Sequence, residues 1–243
     1  MPLRIGFDLD GVLADMELAL VHEAEKLFGP RANTPRAEVR SEPHSMSHLV
    51  PAEVSDDAPL RYELELSAKE RRQLWRHVTA INGFWETLEE TESGCVARLA
   101  QLAAEHRWEI IFLTRRPATA GATSQIQSQR WLTAKGFALP SVYVVTGSRG
   151  LIAAALALEI VVDDTPSNCV DVATDSRART IAIFRDPQVP LPSVLQGMGI
   201  HVVRTTDECL NILADIDSSV ERRPGALDRI MQSLGLKESQ EAK

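Results

Sequence analysis

Three aspartates lie close together near the N-terminus, in the stretch RIGFDLDGVLADM at residues 4–16. Asp8 and Asp10 directly follow an apolar run, and Gly11 comes next. A carboxylate can coordinate Mg²⁺ or attack phosphorus, and a second acid two residues further on can protonate a leaving oxygen and then deprotonate water. Gly11 allows the backbone beside these acids to turn tightly. The stretch therefore suits phosphoryl transfer.

The third aspartate, Asp15, has a different interpretation. It comes directly before MELALVHEAEKLF, whose apolar residues recur at helical spacing. An acid at the start of a helix is stabilised by the partial positive charge of that end. We therefore expect Asp15 to begin the helix and to take no part in catalysis.

Polar residues also follow three later apolar runs. They are Thr114 and Arg115 after EIIFL, Arg149 in the TGSR stretch after VYVV, and Asp163 and Asp164 after EIVV. A parallel α/β sheet gathers the carboxyl ends of its strands at one edge, where such proteins bind their ligands. We therefore expect these side chains to lie near Asp8 and Asp10.

Together these residue types suit a site for Mg²⁺ and a phosphate group. Asp8 and one of Asp163 or Asp164 offer hard oxygen ligands, and crowded carboxylates repel one another unless a cation lies between them. Thr114 can hold the equatorial oxygens of a phosphate, and a cation such as Arg149 can offset their charge.

Two arginines follow Thr114 directly, in the stretch FLTRRP. Either Arg115 or Arg116 can bind an anionic substrate at this strand end, and we assign Arg115 to phosphate binding. At least one of the two is expected to be a surface charge.

Six short apolar runs predict buried strands. They are LRIGF (3–7), EIIFL (109–113), VYVV (142–145), EIVV (159–162), TIAIF (180–184) and HVV (201–203). Most are apolar at every position, as expected when helices cover both faces of a sheet. Helix-like stretches lie between them, so the sequence predicts an α/β fold with a doubly wound parallel sheet.

One long stretch interrupts this alternation. Residues 16–89 contain helical patterns but no convincing buried strand, and residues 30–66 are polar and broken by prolines. We therefore predict a catalytic core formed by residues 1–15 and 90–217, with a helical cap insertion at 16–89. Residues 218–243 form a C-terminal tail with one weak helical pattern.

The motifs DLDGVLAD, FLTRRP, GSRG and VVDD, in this order, resemble the four signature motifs of the haloacid dehalogenase (HAD) superfamily. The resemblance covers about residues 1–15 and 90–205, and it implies a HAD-like Rossmann-type core, Mg²⁺ as cofactor and an aspartyl-phosphate intermediate. The insertion after the first motif is similar to the family's cap in the C1 position. The stretches NGFWETLEETESG and GSRGLIAAALALEIVVDDTPSN resemble the 5'(3')-deoxyribonucleotidase-like subgroup.

The resemblance also implies roles at the matching positions. Asp8 resembles the nucleophile and a metal ligand. Asp10 resembles the general acid and base, and its backbone carbonyl would be a further metal ligand. An aspartate at this second position is typical of the family's phosphatases rather than its dehalogenases. Thr114 matches the hydroxyl that binds phosphate.

The later motifs complete the implied site. Asp164 matches the aspartate that usually reaches Mg²⁺, and Asp163 matches one that often acts through water. Arg149 stands where the family normally has lysine, so a planar guanidinium replaces a compact ammonium. This departure bears on the fine geometry of the site and on the rate more than on the class of reaction.

We expect a hydrolase that acts on a small phosphomonoester, because an insertion of this size restricts access of polymers. The subgroup resemblance favours a nucleoside monophosphate, with Phe84 and Trp85 lining the substrate pocket. Two alternatives stay open. One is a phosphotransferase or mutase that passes the phosphoryl group to another acceptor, and the other is a catalytically silent HAD-like module that binds a ligand or a protein.

The overall composition argues against some classes of protein. The net charge of −8 at pH 7 disfavours binding of nucleic-acid polymers through a basic face. The three cysteines are far apart without metal-type spacing, so we expect buried free thiols. The N-terminus lacks a signal-like apolar stretch and no run is long enough for a membrane span, which predicts a cytoplasmic protein without membrane contact. The sequence does not indicate an oligomeric state.

Overall fold

The computed structural model describes residues 2–29, 66–186 and 193–221. Its centre is a six-stranded parallel sheet with the strand order β3-β2-β1-β4-β5-β6. The strands are β1 (Arg4–Asp8), β2 (Glu109–Thr114), β3 (Ser141–Val144), β4 (Ile160–Asp163), β5 (Arg179–Ile183) and β6 (His201–Val203). The predicted α/β fold with a doubly wound parallel sheet is confirmed.

The first strand lies in the middle of the sheet. β1 pairs with β2 on one side, where Asp8 faces Leu113, and with β4 on the other, where Phe7 faces Val162. The chain order along the sheet reverses between β1 and β4, and such a switch point is where open α/β sheets bind ligands. The two predicted acid pairs, Asp8 with Asp10 and Asp163 with Asp164, therefore follow adjacent strands at this switch point.

Helices flank the sheet and connect its strands. They are α1 (Met16–Phe28), α2 (Ala68–Ala80), α3 (Cys95–His106), α4 (Ser124–Ala134), α5 (Arg149–Ala155), α6 (Pro166–Asp175), α7 (Ser193–Gly197) and α8 (Thr206–Glu221), with a short 3₁₀ helix at Phe84–Glu86. Asp15 caps α1, because its Oδ1 accepts a hydrogen bond of 3.1 Å from the backbone of Leu18. This confirms the structural interpretation of that aspartate.

The helical pair after β1 packs onto the sheet. α2 begins with a capping box formed by Ser67 and Glu70, and its buried residue Leu74 belongs to the same apolar cluster as Leu20 of α1 and Phe7 of β1. Residues 30–65 and 222–243, which include about half of the predicted insertion and most of the predicted tail, lie outside the described residues. The predicted domain boundaries therefore stay predictions.

The core accounts for the cysteines. Cys95, Cys169 and Cys209 are free and buried, as predicted. Across the described ranges, no helix combines the length and the hydropathy that a membrane crossing requires.

Candidate active site

Three carboxylates meet at the carboxyl edge of the sheet, between β1 and β4. Asp8 ends β1, Asp163 ends β4, and Asp164 follows it. Each contributes an oxygen that lies within 4.8 Å of the others. Asp8 and Asp163 are buried, and Asp164 is half-buried. Sequence analysis predicted all three as metal ligands, and the structure brings them together.

The two oxygens of Asp163 have different surroundings. Oδ1 accepts hydrogen bonds from the backbone of Thr165 at 2.9 Å and from Asn168 Nδ2 at 3.2 Å. Oδ2 is buried and accepts no hydrogen bond from the described residues, although Arg149 Nε lies 3.6 Å away. The hydrogen bonds at Oδ1 orient the carboxyl group of Asp163. Because a buried carboxylate oxygen without a hydrogen bond is costly, Oδ2 is the oxygen that can take a further ligand.

Arg149 lies beside these acids. It is the first residue of α5, after the N-cap Ser148, and it is only 2% exposed. Its Nη2 donates to Asp8 Oδ1, while its Nε faces Asp163. Among the described residues, its Nε and Nη1 have no hydrogen-bond acceptor. The guanidinium therefore bridges the two buried acids and still has donors to offer.

Burial is the main influence on the ionisation of these acids. It raises the pKa of Asp8 well above its ordinary value, and Arg149 opposes that rise. The nearby Asp163, Asp164 and Asp10 raise it further. Burial also raises the pKa of Asp163, against the influence of Arg149. A divalent cation would favour the ionised forms, and three hard oxygen donors with one open buried oxygen fit Mg²⁺.

Asp10 faces a different set of partners. Its carboxylate accepts a hydrogen bond of 3.2 Å from Thr114 Oγ1 and forms an ion pair with Arg116, whose Nη2 lies 2.8 Å from Oδ1. Its side chain is outside the group of three carboxylates, so its predicted contribution to metal binding through the backbone carbonyl stays a prediction. The same holds for the binding of phosphate by Thr114, which is fully buried and donates to Asp10.

The two adjacent arginines have different positions. Arg115 is half-buried, and its Nη2 donates to the carbonyl of Gly147 at 3.2 Å. Arg116 is only 3% exposed and contacts Asp10 directly. From the sequence, either arginine could bind an anionic substrate and only Arg115 was assigned to phosphate binding, so the contact of Arg116 with Asp10 was not predicted. The signal was available, because residues two apart in extended chain point to the same side, and Arg116 is two residues beyond Thr114.

The aromatic pair predicted to line the substrate pocket is buried. Phe84 and Trp85 lie in the 3₁₀ helix, with exposures of 2% and 0%. Their rings pack edge to face, with centroids 4.9 Å apart. The Trp85 ring also lies 5.0 Å from the guanidinium carbon of Arg116. Both rings thus pack in the core, and their predicted contact with substrate stays untested.

A second arginine that sequence analysis missed holds the turn after Asp10. Arg185 follows β5, and its guanidinium donates to the carbonyls of Gly11 at 3.2 Å and Val12 at 2.9 Å. The same side chain also bonds to Thr91, Glu92 and Thr206. It thereby joins the acidic turn to the start of α8. Arg185 comes two residues after β5, so the signal that marked Thr114 and Asp163, a polar residue at a strand end, was present for it as well.

Comparisons with known structures place this arrangement in a known fold. A HAD family hydrolase from Deinococcus radiodurans R1, solved with phosphate and sodium, has a TM-score of 0.51 and 14% identity, over 88% of this chain and 96% of its own. A candidate beta-phosphoglucomutase from Thermotoga maritima has a TM-score of 0.50 and 19% identity, over 88% and 99%. The chain has the haloacid dehalogenase-like fold.

A third HAD-like protein agrees with this result. A haloacid dehalogenase-like hydrolase from Streptococcus pneumoniae has a TM-score of 0.50 and 13% identity, over 87% of this chain and 98% of its own. Comparison of the sequence with protein-family models finds no match, and comparison with curated proteins finds none either. At these identities, the HAD-like structures establish the fold of this chain.

Proposed function

We propose that this protein is a Mg²⁺-dependent phosphohydrolase that cleaves a small phosphomonoester through an aspartyl-phosphate. The observation that carries the proposal is the group of three carboxylates, Asp8, Asp163 and Asp164, with the buried cation Arg149 beside them. Such a group of acids fits a hard divalent cation and an anionic substrate.

The metal site would be formed by oxygens of Asp8, Asp163 and Asp164, with the backbone carbonyl of Asp10 as a further donor. Bound there, Mg²⁺ would neutralise charge on the phosphoryl oxygens. The open Oδ2 of Asp163 supports this assignment, because a buried oxygen without a donor is satisfied by a cation.

The reaction then divides between two aspartates. Asp8 attacks phosphorus, so that a bond forms between its carboxylate oxygen and phosphorus while the bond from phosphorus to the leaving oxygen breaks. Asp10, which must enter this step in its protonated form, gives its proton to that oxygen and becomes the carboxylate that Arg116 and Thr114 hold. Water next attacks the phosphorus of the aspartyl-phosphate and gives a proton to Asp10, which frees Asp8 and inorganic phosphate. The free N–H groups of Arg149 would bind the phosphoryl oxygens throughout.

The substrate that we propose is a nucleoside or deoxynucleoside monophosphate. Its support is the resemblance of two sequence stretches to the deoxyribonucleotidase-like subgroup. The two alternatives from the sequence are kept: transfer to another acceptor, as in a mutase, or ligand binding without catalysis. Inorganic phosphate released without an added acceptor distinguishes hydrolysis from transfer.

The test is a panel of phosphomonoesters that includes deoxynucleotides, sugar phosphates and phosphoglycolate. We expect wild type to release phosphate from at least one of them with Mg²⁺ but not with EDTA, and Asp8→Asn to be inactive. Equal hydrolysis by wild type and Asp8→Asn would exclude Asp8 as the nucleophile. Inactivity of wild type on the whole panel would instead favour the binding module.

A further inference from the structure

Arg116 donates hydrogen bonds to the carboxylate of Asp10 from two nitrogens. Nη2 donates to Oδ1 at 2.8 Å, and Nε lies 3.1 Å from Oδ1 and 3.0 Å from Oδ2. The Arg116 side chain is fully buried, and that of Asp10 is 14% exposed. A planar fork that contacts both oxygens of a carboxylate fixes the orientation of its plane as well as its position.

The arginine is itself held from the opposite side. Its Nη1 donates to Ser128 Oγ in α4 at 2.9 Å. The hydroxyl of Ser128 then donates to the carbonyl of Ser124 at 2.7 Å, one helical turn earlier. Thus the third nitrogen of the guanidinium is tied to a helix, while the other two contact Asp10.

Two tryptophans limit the remaining freedom of the guanidinium. Its carbon lies 5.0 Å from the ring centre of Trp85 and 5.9 Å from that of Trp131. Both rings are buried, and both indole N–H groups donate to backbone carbonyls, at 3.0 Å and 2.7 Å. Cation–π contacts of a desolvated arginine are among the stronger ones, so the guanidinium has a rigid aromatic surround.

We propose that Arg116 is the positioning residue for proton transfer, and that it aims the carboxyl group of Asp10 at the leaving-group oxygen. This inference rests on the proposed function, because it assigns Arg116 a part in the same reaction. Proton transfer is efficient only within hydrogen-bond reach and good alignment. A carboxyl group on a surface turn rotates freely, whereas the one on Asp10 is held by Arg116 and Thr114.

The proposal has a signature that a merely structural role lacks. A leaving group such as p-nitrophenolate departs without a proton, whereas the alcohol of a nucleotide or sugar phosphate needs one. The parameter kcat/KM covers only the steps up to loss of the leaving group. Misplacing the proton donor therefore lowers kcat/KM for alkyl phosphates selectively.

The experiment compares Arg116→Lys and Arg116→Ala with wild type, on p-nitrophenyl phosphate and on the best alkyl phosphate of the panel. We expect kcat/KM to fall about 100-fold for the alkyl phosphate, the size of a general-acid contribution, and only slightly for p-nitrophenyl phosphate. In an Asp10→Asn background the Arg116 substitutions should add no further selectivity. Arg130→Ala is the matched control, because Arg130 belongs to α4, the helix that holds Arg116, but its side chain pairs with Glu86 at the surface. It should leave both values unchanged.

A second variant keeps the test possible if the Arg116 variants fail to fold, and thermal unfolding of each protein shows whether it is folded. Ser128→Ala keeps Arg116 and removes its hydrogen bond from Nη1, together with the bond from Ser128 to the carbonyl of Ser124, and it should produce a smaller loss of the same selectivity. Equal losses on both substrates in folded variants would overturn the positioning role while leaving the phosphohydrolase proposal intact. Inactivity of wild type on both substrates would instead refute the phosphohydrolase proposal, and the role of Arg116 with it.

Discussion

A β-carbon placed on Gly11 would lie 1.7 Å from Oδ2 of Asp164. The backbone of Gly11 also has a φ of +80°, a conformation that side chains disfavour. The turn after β1 and the acid after β4 thus approach each other more closely than any other residue type at position 11 would permit.

We predict that Gly11→Ala weakens the binding of Mg²⁺ by more than its backbone strain explains. Gly94 is the matched control, because its φ is also +80° but an added β-carbon would meet no described atom within 4 Å. Gly94→Ala should cost only the left-handed strain, about 1 to 2 kcal/mol. Gly11→Ala must in addition displace the Asp164 carboxylate. Calorimetric titration with Mg²⁺ should show weaker binding for Gly11→Ala alone, and equal affinities in both variants would contradict the close contact.

The buried pair of Arg149 and Asp8 leads to a prediction on stability. Arg149→Met leaves Asp8 and Asp163 buried without their cation, and breaking a buried pair costs about 3 to 5 kcal/mol. Urea unfolding in EDTA measures this loss. Saturating Mg²⁺ should recover part of it, because the ion supplies the missing positive charge. A variant with wild-type stability in EDTA would show that Arg149 does not compensate these acids.

Conservative replacement of the same residue tests its shape. Arg149→Lys keeps the charge but cannot contact Asp8 and face Asp163 with a planar fork. We expect its stability in EDTA to lie between those of wild type and Arg149→Met. Phosphate release by Arg149→Lys would show whether this site works with either cation.

The contact between α1 and α2 gives a prediction on pH. Burial acts to raise the pKa of Glu23, but hydrogen bonds from Lys26 and His77 outweigh it, and the pKa is lowered from its ordinary value of 4.5. A carboxyl group whose pKa is lowered by folding stabilises the folded state fully when the pH is above its pKa in the unfolded chain. This stabilisation disappears as the pH falls through its pKa in the folded protein.

The variant Glu23→Gln should therefore be less stable than wild type at neutral pH, by about 0.5 kcal/mol for a partly exposed pair. The difference should shrink as the pH falls below 4.5. Urea unfolding across this range measures it. A difference that grows in acid would show that Glu23 is not paired in the folded protein.

The cysteines should be unreactive in the native protein. All three are buried, and burial raises the pKa of Cys95 to about 12, so the reactive thiolate is scarce. We expect a thiol reagent such as dithionitrobenzoate to label none of them quickly in buffer and all three in denaturant. Rapid labelling of one thiol in buffer would show that its surroundings open easily.

The strands were predictable because their burial leaves a direct pattern. All six apolar runs are strands, with ends within about one residue of the prediction. For strands such as β4 the reason is that a strand covered on both faces has few polar positions, whereas the edge strand β3 is apolar although only Val142 in it is buried. Because the carboxyl ends of parallel strands lie at one edge of the sheet, the strand pattern also predicted that Asp8 and Asp163 lie close together. These side chains end their strands, so the backbone alone decides where they lie.

The arginines were harder, because burial of a cation depends on partners far away in the sequence. Arg116 is buried beside Asp10, an acid 106 positions away, and Arg185 pairs with Glu92, 93 positions away. Neither partner can be identified from neighbouring residues. Phe84 and Trp85 show the same limit, since composition marks them as aromatic but their exposure depends on α4 and on Arg116.

The central place of β1 has a consequence for synthesis of the chain. Asp8 is made long before its partner Arg149, which comes 141 positions later, and the acids after β4 come later still. A growing chain therefore carries Asp8 through the synthesis of β2 and β3 without Arg149 and without the acids of β4. Metal affinity should appear abruptly, once β4 has emerged and can pair with β1, so ribosome-bound chains of increasing length would time the assembly of the sheet.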